Sequence, residues 1–175
     1  MNCTDKDFRT AVEIALAENG FTFHVDADNM YSITNIDTSD RKMIAKLICS
    51  IPINEKLHGT KNNTEIKAIG YFKFKFPSKG QFPNFYIFAF NSNVDSTVQF
   101  IIIPSNELII RFKKRDFLAD NEQPIEFKLW LLPDDMVFDV TRFGAEGEYW
   151  FISGRMADNT IMDYTQYLNN WFLIN

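Results

Sequence analysis

The sequence predicts an α+β fold, with α/β as the alternative. We expect a single domain over residues 1–175, with a mixed central β-sheet flanked by an N-terminal and a C-terminal helix. Residues 69–104 contain three strand-like runs separated by turn-rich links. A helical pattern precedes these runs and another follows them. With 175 residues, 46% apolar and 15% aromatic, the chain can bury one core of ordinary size.

The central runs are the clearest part of this pattern. The first alternates strictly, with Phe72, Phe74 and Phe76 on one face and Lys73 and Lys75 on the other. The next two runs are almost continuously apolar, which is typical of strands covered on both faces. The prediction is therefore one sheet that includes residues 71–76, 84–90 and 97–103.

The remaining elements follow from local signals in chain order. A helix is expected from residue 5 to about 18, ending at Asn19-Gly20 in a left-handed cap. Residues 21–25 and 30–36 predict a hairpin, and 42–50 a third strand. Further along, we expect a helix that begins near Ser105, strands at 124–132, 137–140 and 149–152, and a closing helix over 163–173.

Composition limits the environment of the chain. No run approaches the ~20 apolar residues of a membrane span. The first residues lack the basic start and apolar stretch of a signal peptide. Cys3 and Cys49 are expected to be two free thiols. These features predict a cytoplasmic protein with no membrane partner, and they leave the oligomeric state open.

Charge is distributed unevenly along the chain. The net charge of −5 divides into −3 over residues 1–60, +6 over 61–115 and −8 over 116–175. A basic middle is one signature of a nucleic-acid-binding face, and its candidate contacts are Lys73, Lys75, Arg111, Lys113 and Lys114. The alternative is that the basic and acidic regions neutralise each other in the fold.

Catalytic motifs are sparse. The only histidines are His24, in an alternating strand, and His58, in a polar loop. No group of His, Cys and carboxylate residues has zinc-ligand spacing, and no Ser or Cys stands near a base in a recognisable pattern. The residues alone predict no cofactor.

The order of elements nevertheless suggests a family. The strand at 42–50 and the segments FKFKFP (72–77), PNFYIFAF (83–90) and FIIIPSNEL (100–108) form the pattern. It resembles the restriction-endonuclease-like, or PD-(D/E)xK, superfamily, in its small prokaryotic branches of unassigned role. The resemblance covers a nuclease-like core at about residues 5–110 and leaves 111–175 as a C-terminal β and helical extension.

The resemblance implies a site. Lys46 would be the catalytic lysine, and Asp37 or Asp40 the preceding metal-binding aspartate. Ile44 stands where the second carboxylate of such a site belongs, and isoleucine cannot ligate Mg²⁺. A replacement carboxylate would have to come from elsewhere, such as Glu13 on the first helix.

Three functions follow as hypotheses. The first is a non-catalytic nuclease-like module that binds nucleic acid or a protein partner. The second is an acidic protein-binding module of the immunity or inhibitor type, based on the −8 region and on the aromatic residues Tyr149, Trp150, Tyr164, Tyr167 and Trp171. The third is an active Mg²⁺-dependent nuclease that uses Asp40 and Lys46.

Overall fold

The described residues form an α+β architecture with two α-helices and two β-sheets. A computed structural model describes residues 4–36, 41–52, 66–77, 82–92, 94–114, 123–141 and 161–174. In chain order the elements are α1 (Asp5–Glu18), β1 (Phe21–Val25), β2 (Met30–Asn35), β3 (Lys42–Cys49), β4 (Ala68–Phe74), β5 (Phe85–Asn91), β6 (Val98–Pro104), α2 (Ser105–Lys114), β7 (Ile125–Leu131) and β8 (Val137–Asp139). No helix within the described ranges is both long and apolar enough to cross a membrane.

Helix α1 begins and ends where local chemistry dictates. The Thr4 hydroxyl accepts from the Asp7 N–H, while the Asp7 carboxylate accepts from the Thr4 N–H, which forms a reciprocal capping box. These hydrogen bonds hold the pKa of Asp7 below its usual value. The helix stops at Asn19, and Gly20 turns the chain at a φ of 78° that favours glycine.

The strands form two sheets rather than one. The five-stranded sheet has the order β1-β2-β3-β5-β6, in which only β3 and β5 are parallel, and the three-stranded sheet has the order β4-β7-β8. The expectation that residues 71–76 join 84–90 and 97–103 in one sheet is wrong, because β4 pairs with β7. β4 has a single apolar face, and that face packs onto the larger sheet instead of extending it.

Three layers result. α1 covers one face of the five-stranded sheet through Phe8, Val12 and Leu16. The three-stranded sheet covers the β5–β6 half of the other face, and Phe72, Phe88 and their neighbours fill the space between the sheets. The predicted alternation in β4 is confirmed, since Phe72 and Phe74 are buried, Phe76 is half-buried, and Lys73 and Lys75 are exposed.

The closing segment differs from its prediction. Residues 163–173 were expected to form a helix, but the structure has two 3₁₀ turns, Thr165–Tyr167 and Trp171–Ile174. Asn169 separates them at a φ of 48°. Its N–H donates to the Phe100 carbonyl, and its side-chain oxygen accepts from the Phe100 N–H. The helix is broken because this residue pairs with β6. The strand predicted at 149–152 lies outside the described residues.

Candidate nucleic-acid interface

Among the described residues, no element packs on half of one face of the five-stranded sheet. Side chains alternate along β1, β2 and β3, so Met43, Ala45 and Leu47 pack under α1 while their neighbours point the other way. The three-stranded sheet reaches β5 and β6 but does not cover the outer strands on that side. We call this side of β1–β3 the open face, and it consists of Thr22, His24, Met30, Ser32, Thr34, Lys42, Ile44 and Lys46.

Lysines are the main charges of the open face. Lys42 and Lys46 both lie on β3, four residues or about 13 Å apart. Neither lysine side chain forms a hydrogen bond or an ion pair within the described residues. The same holds for the side chain of Lys75, which follows β4. Lys73 pairs with Glu126 at 3.2 Å, but both side chains are about half exposed, so this pair is weak.

A cleft of about 510 Å³ opens at the end of this face. β2 pairs with β3 only as far as Lys46, so the last residues of β3 extend beyond it. Lys46 and Lys73 line the cleft together with the acidic Asp5 and Asp28. Asn29 also lines it, and its side-chain oxygen is buried without a hydrogen bond in the described structure. The cleft therefore combines two cations, two anions and one unused acceptor.

The hydroxyl groups of the open face are held in place by the hairpin. Ser32 donates to the Asp26 carboxylate at 2.9 Å, and His24 lies 3.5 Å from the same carboxylate. The Thr22 hydroxyl donates to the Thr34 carbonyl at 3.2 Å. The Asp26 carboxylate is thus engaged by Ser32 and His24 of the hairpin.

Lys46 lies at the boundary between the open face and the aromatic core. It stands beside Tyr86 in the β3–β5 ladder, and the two side chains point to the same side. Tyr86 is fully buried, and its hydroxyl has no hydrogen bond in the described structure. Burial raises the pKa of Tyr86 well above its usual value, so the hydroxyl stays neutral next to the lysine.

The structure places the residues of the implied nuclease site as follows. Asp37 and Asp40 lie outside the described residues. Ile44 and Lys46 share the open face, as their spacing predicts, and Asn84 hydrogen-bonds the Ile44 backbone. Glu13 lies on α1, across the sheet from Lys46, so the two are not brought together. Within the described ranges, no group of three or more His, Cys, Asp or Glu residues could hold a metal.

Arg111 corrects the set of predicted nucleic-acid contacts. Its guanidinium is buried and donates to Glu107 at 2.9 Å and to the carbonyls of Ile161 and Asp163 at 2.9 and 2.8 Å. It also lies over the Tyr164 ring at 4.8 Å. Arg111 therefore joins α2 to the closing segment, and its guanidinium is already engaged by acceptors within the fold.

The other predicted contacts lie at the surface. Lys113 and Lys114 are exposed at the end of α2. By contrast, Tyr164, Tyr167 and Trp171 from the aromatic group of the protein-binding hypothesis are buried in the core. Sequence analysis missed Lys42 as a site residue, although its even spacing from Ile44 and Lys46 was a usable signal.

Comparison with known proteins finds no family model, no curated protein and no solved structure that matches this chain. The chemistry of the open face is therefore the basis for a functional assignment.

Proposed function

We propose that this chain is a nucleic-acid-binding module without nuclease activity, and that the open face is its contact surface. The observation that carries the proposal is the pair of lysines without an ion-pair partner, Lys42 and Lys46, on a half-sheet that no described element covers. Ammonium groups that lack an internal partner gain most from binding phosphates, because counterions are released when they do so.

The composition of the face indicates the mode of contact. Its exposed side chains are Thr22, His24 and Lys42, its half-buried ones include Lys46 and Thr34, and its described residues include no Phe, Tyr or Trp on which a base could stack. Lysine and hydroxyl groups contact the phosphate and sugar backbone, whereas single-strand binders add aromatic platforms. We therefore expect binding to duplexes with little sequence preference.

Ile44 supports binding without cleavage. Hydrolysis by a metal-dependent nuclease needs carboxylates that hold a divalent cation next to the scissile phosphate. The side chain of Ile44 shares the face of Lys46, but it is apolar and half-buried. A divalent cation at this part of the face would lie near the positive charge of Lys46 and would receive no oxygen ligand from Ile44.

The first experiment is a binding titration with a labelled mixed-sequence DNA duplex at several salt concentrations. The variant Lys42→Gln/Lys46→Gln removes two charges from the open face. We expect weaker binding and a salt slope that is smaller by about 2, since each lost phosphate contact reduces it by roughly 0.9. The matched control Lys6→Gln/Arg9→Gln removes two exposed charges from α1, on the opposite side of the sheet, and should change binding little.

Each other result would contradict the proposal. Equal effects of the two double variants would show that binding does not use the open face. Cleavage of the duplex with Mg²⁺ or Mn²⁺ that is lost in Lys46→Ala would establish the nuclease hypothesis instead. A chain with no salt-dependent affinity for nucleic acid would favour the acidic protein-binding module.

A further inference from the structure

Strand β1 ends the five-stranded sheet with an open hydrogen-bonding edge. Just before β1, the Ile36 N–H donates to the Gly20 carbonyl, and just after β1, the Asp26 N–H donates to the Met30 carbonyl. Because bonded pairs alternate in an antiparallel ladder, Thr22 and His24 bond to β2, and the backbone groups of Phe23 and Val25 point outward. Within the part of the chain that the structure describes, no residue forms a hydrogen bond with these outward groups.

Other sheet edges in this fold are covered, at least in part, by short segments of chain. Asn169 and Leu168 cap β6, and Met162 to Tyr164 bond along β8. On β4, Tyr71 hydrogen-bonds to Ser50 and Ile51, and Ala68 forms an isolated β-bridge with Ser92. Within the described ranges, β1 stands apart as an edge with unused donors and acceptors, and such an edge is a template for another strand.

We propose that the β1 edge pairs with β1 of a second copy of this chain, antiparallel and centred on Phe23, so that the outward residues Phe21, Phe23 and Val25 of the two copies form the bonded pairs. Two copies related by a two-fold axis present the same outward N–H and C=O groups to each other, so every donor finds an acceptor. In this register Thr22 of one copy lies opposite His24 of the other, so no two like-charged side chains face each other directly across the new pair. Phe23 and Val25 are half-buried, and pairing covers their remaining apolar surface.

The pairing has a geometric consequence that is independent of the proposed function. The two five-stranded sheets become one ten-stranded sheet, with both copies of α1 on one side. The two open faces then lie on the other side. Lys42 and Lys46 of the two copies form parallel rows separated by five strand spacings, or about 24 Å.

Charge-swapped variants test the pairing. In the proposed dimer the outward residues form the hydrogen-bonded pairs, so Thr22 and His24 belong to the close, non-bonded pairs with Cα atoms about 4.5 Å apart. Thr22→Lys/His24→Lys and Thr22→Glu/His24→Glu each place like charges opposite each other. Both native side chains are exposed, so neither change should disturb the monomer fold. The matched control Thr10→Lys/Gln166→Lys adds the same charge at exposed sites away from the edge.

Molar mass from light scattering gives the result. We expect twice the monomer mass for the native chain and the control, the monomer mass for each charge variant alone, and twice the monomer mass again when the two charge variants are mixed. Hydrogen exchange should show protected amides at Phe23 and Val25 in the native chain and fast exchange there in the single charge variants. A monomeric native chain would overturn the proposal, including the case in which the edge takes a strand from a different protein. Unchanged dimers of both charge variants would also overturn it.

Discussion

Arg111 offers the sharpest test of how this fold is held together. Its side chain is 7% exposed and bridges Glu107 on α2 to the carbonyls of Ile161 and Asp163. Arg111→Ala would leave a carboxylate and two carbonyls without these donors, each worth about 1–3 kcal/mol, and would remove the contact with Tyr164. Because Glu107 is 36% exposed and keeps part of its hydration, we expect a loss of about 2–4 kcal/mol, mostly from the two carbonyls and the lost ring contact.

The assay is urea unfolding followed by tryptophan fluorescence, since Trp171 packs against Phe100 in the segment that Arg111 anchors. Arg111→Lys keeps the charge but has no planar fork to reach all three acceptors, so it should still lose at least about 1.5 kcal/mol. The control Lys113→Ala, exposed on the same helix, should stay within about 0.5 kcal/mol. A loss below about 1 kcal/mol for Arg111→Ala, with a fall in nucleic-acid affinity, would refute the structural role.

Three further predictions concern the core and one thiol. Phe74→Ala should cost about 3–5 kcal/mol in chemical denaturation, because its buried ring meets four others; a loss near zero would mean that the face of β4 is reversed. Gly70→Ala should cost about 1–3 kcal/mol, since the new Cβ would lie 2.7 Å from the Phe72 ring; a gain in stability would show that this ring can move. Burial raises the pKa of Cys49 from 9.0 to about 12, so the folded chain keeps a proton that the unfolded chain releases. The free energy of unfolding should therefore fall as the pH rises from 9 towards 12, and Cys49→Ala should flatten the fall in pH-dependent urea titrations; an identical pH dependence would contradict this.

Local patterns predicted the elements but not how they assemble. The hairpin of β1 and β2 and the buried strands β5 and β6 were readable, since turn residues and side-chain periodicity act over a few positions. The split into two sheets was not, because the alternating run of β4 is equally suited to the edge of one sheet and to the face of another. Asn169 was misassigned for the same reason, since its partner Phe100 is 69 residues away.

In the candidate site, too, local features could be predicted from the sequence and features that depend on distant residues could not. That Ile44 and Lys46 share a face follows from the spacing alone. That the face is open depends on where the three-stranded sheet stops, and the sequence has no local signal for this. Arg111 was assigned to the surface from its basic neighbours, whereas its role depends on carbonyl groups at residues 161 and 163.

The cap on β6 also sets the order of events during synthesis. Phe100 and Ile101 emerge from the ribosome long before Leu168 and Asn169, the residues that pair with them. Until then the nascent chain carries an apolar strand with an unsatisfied edge. Because Trp171 and Ile174 also belong to the core under α1, the five-stranded sheet cannot be completed co-translationally before residue 174 is available. The edge of β6 and the core under α1 are therefore completed late in synthesis, after the closing segment has emerged.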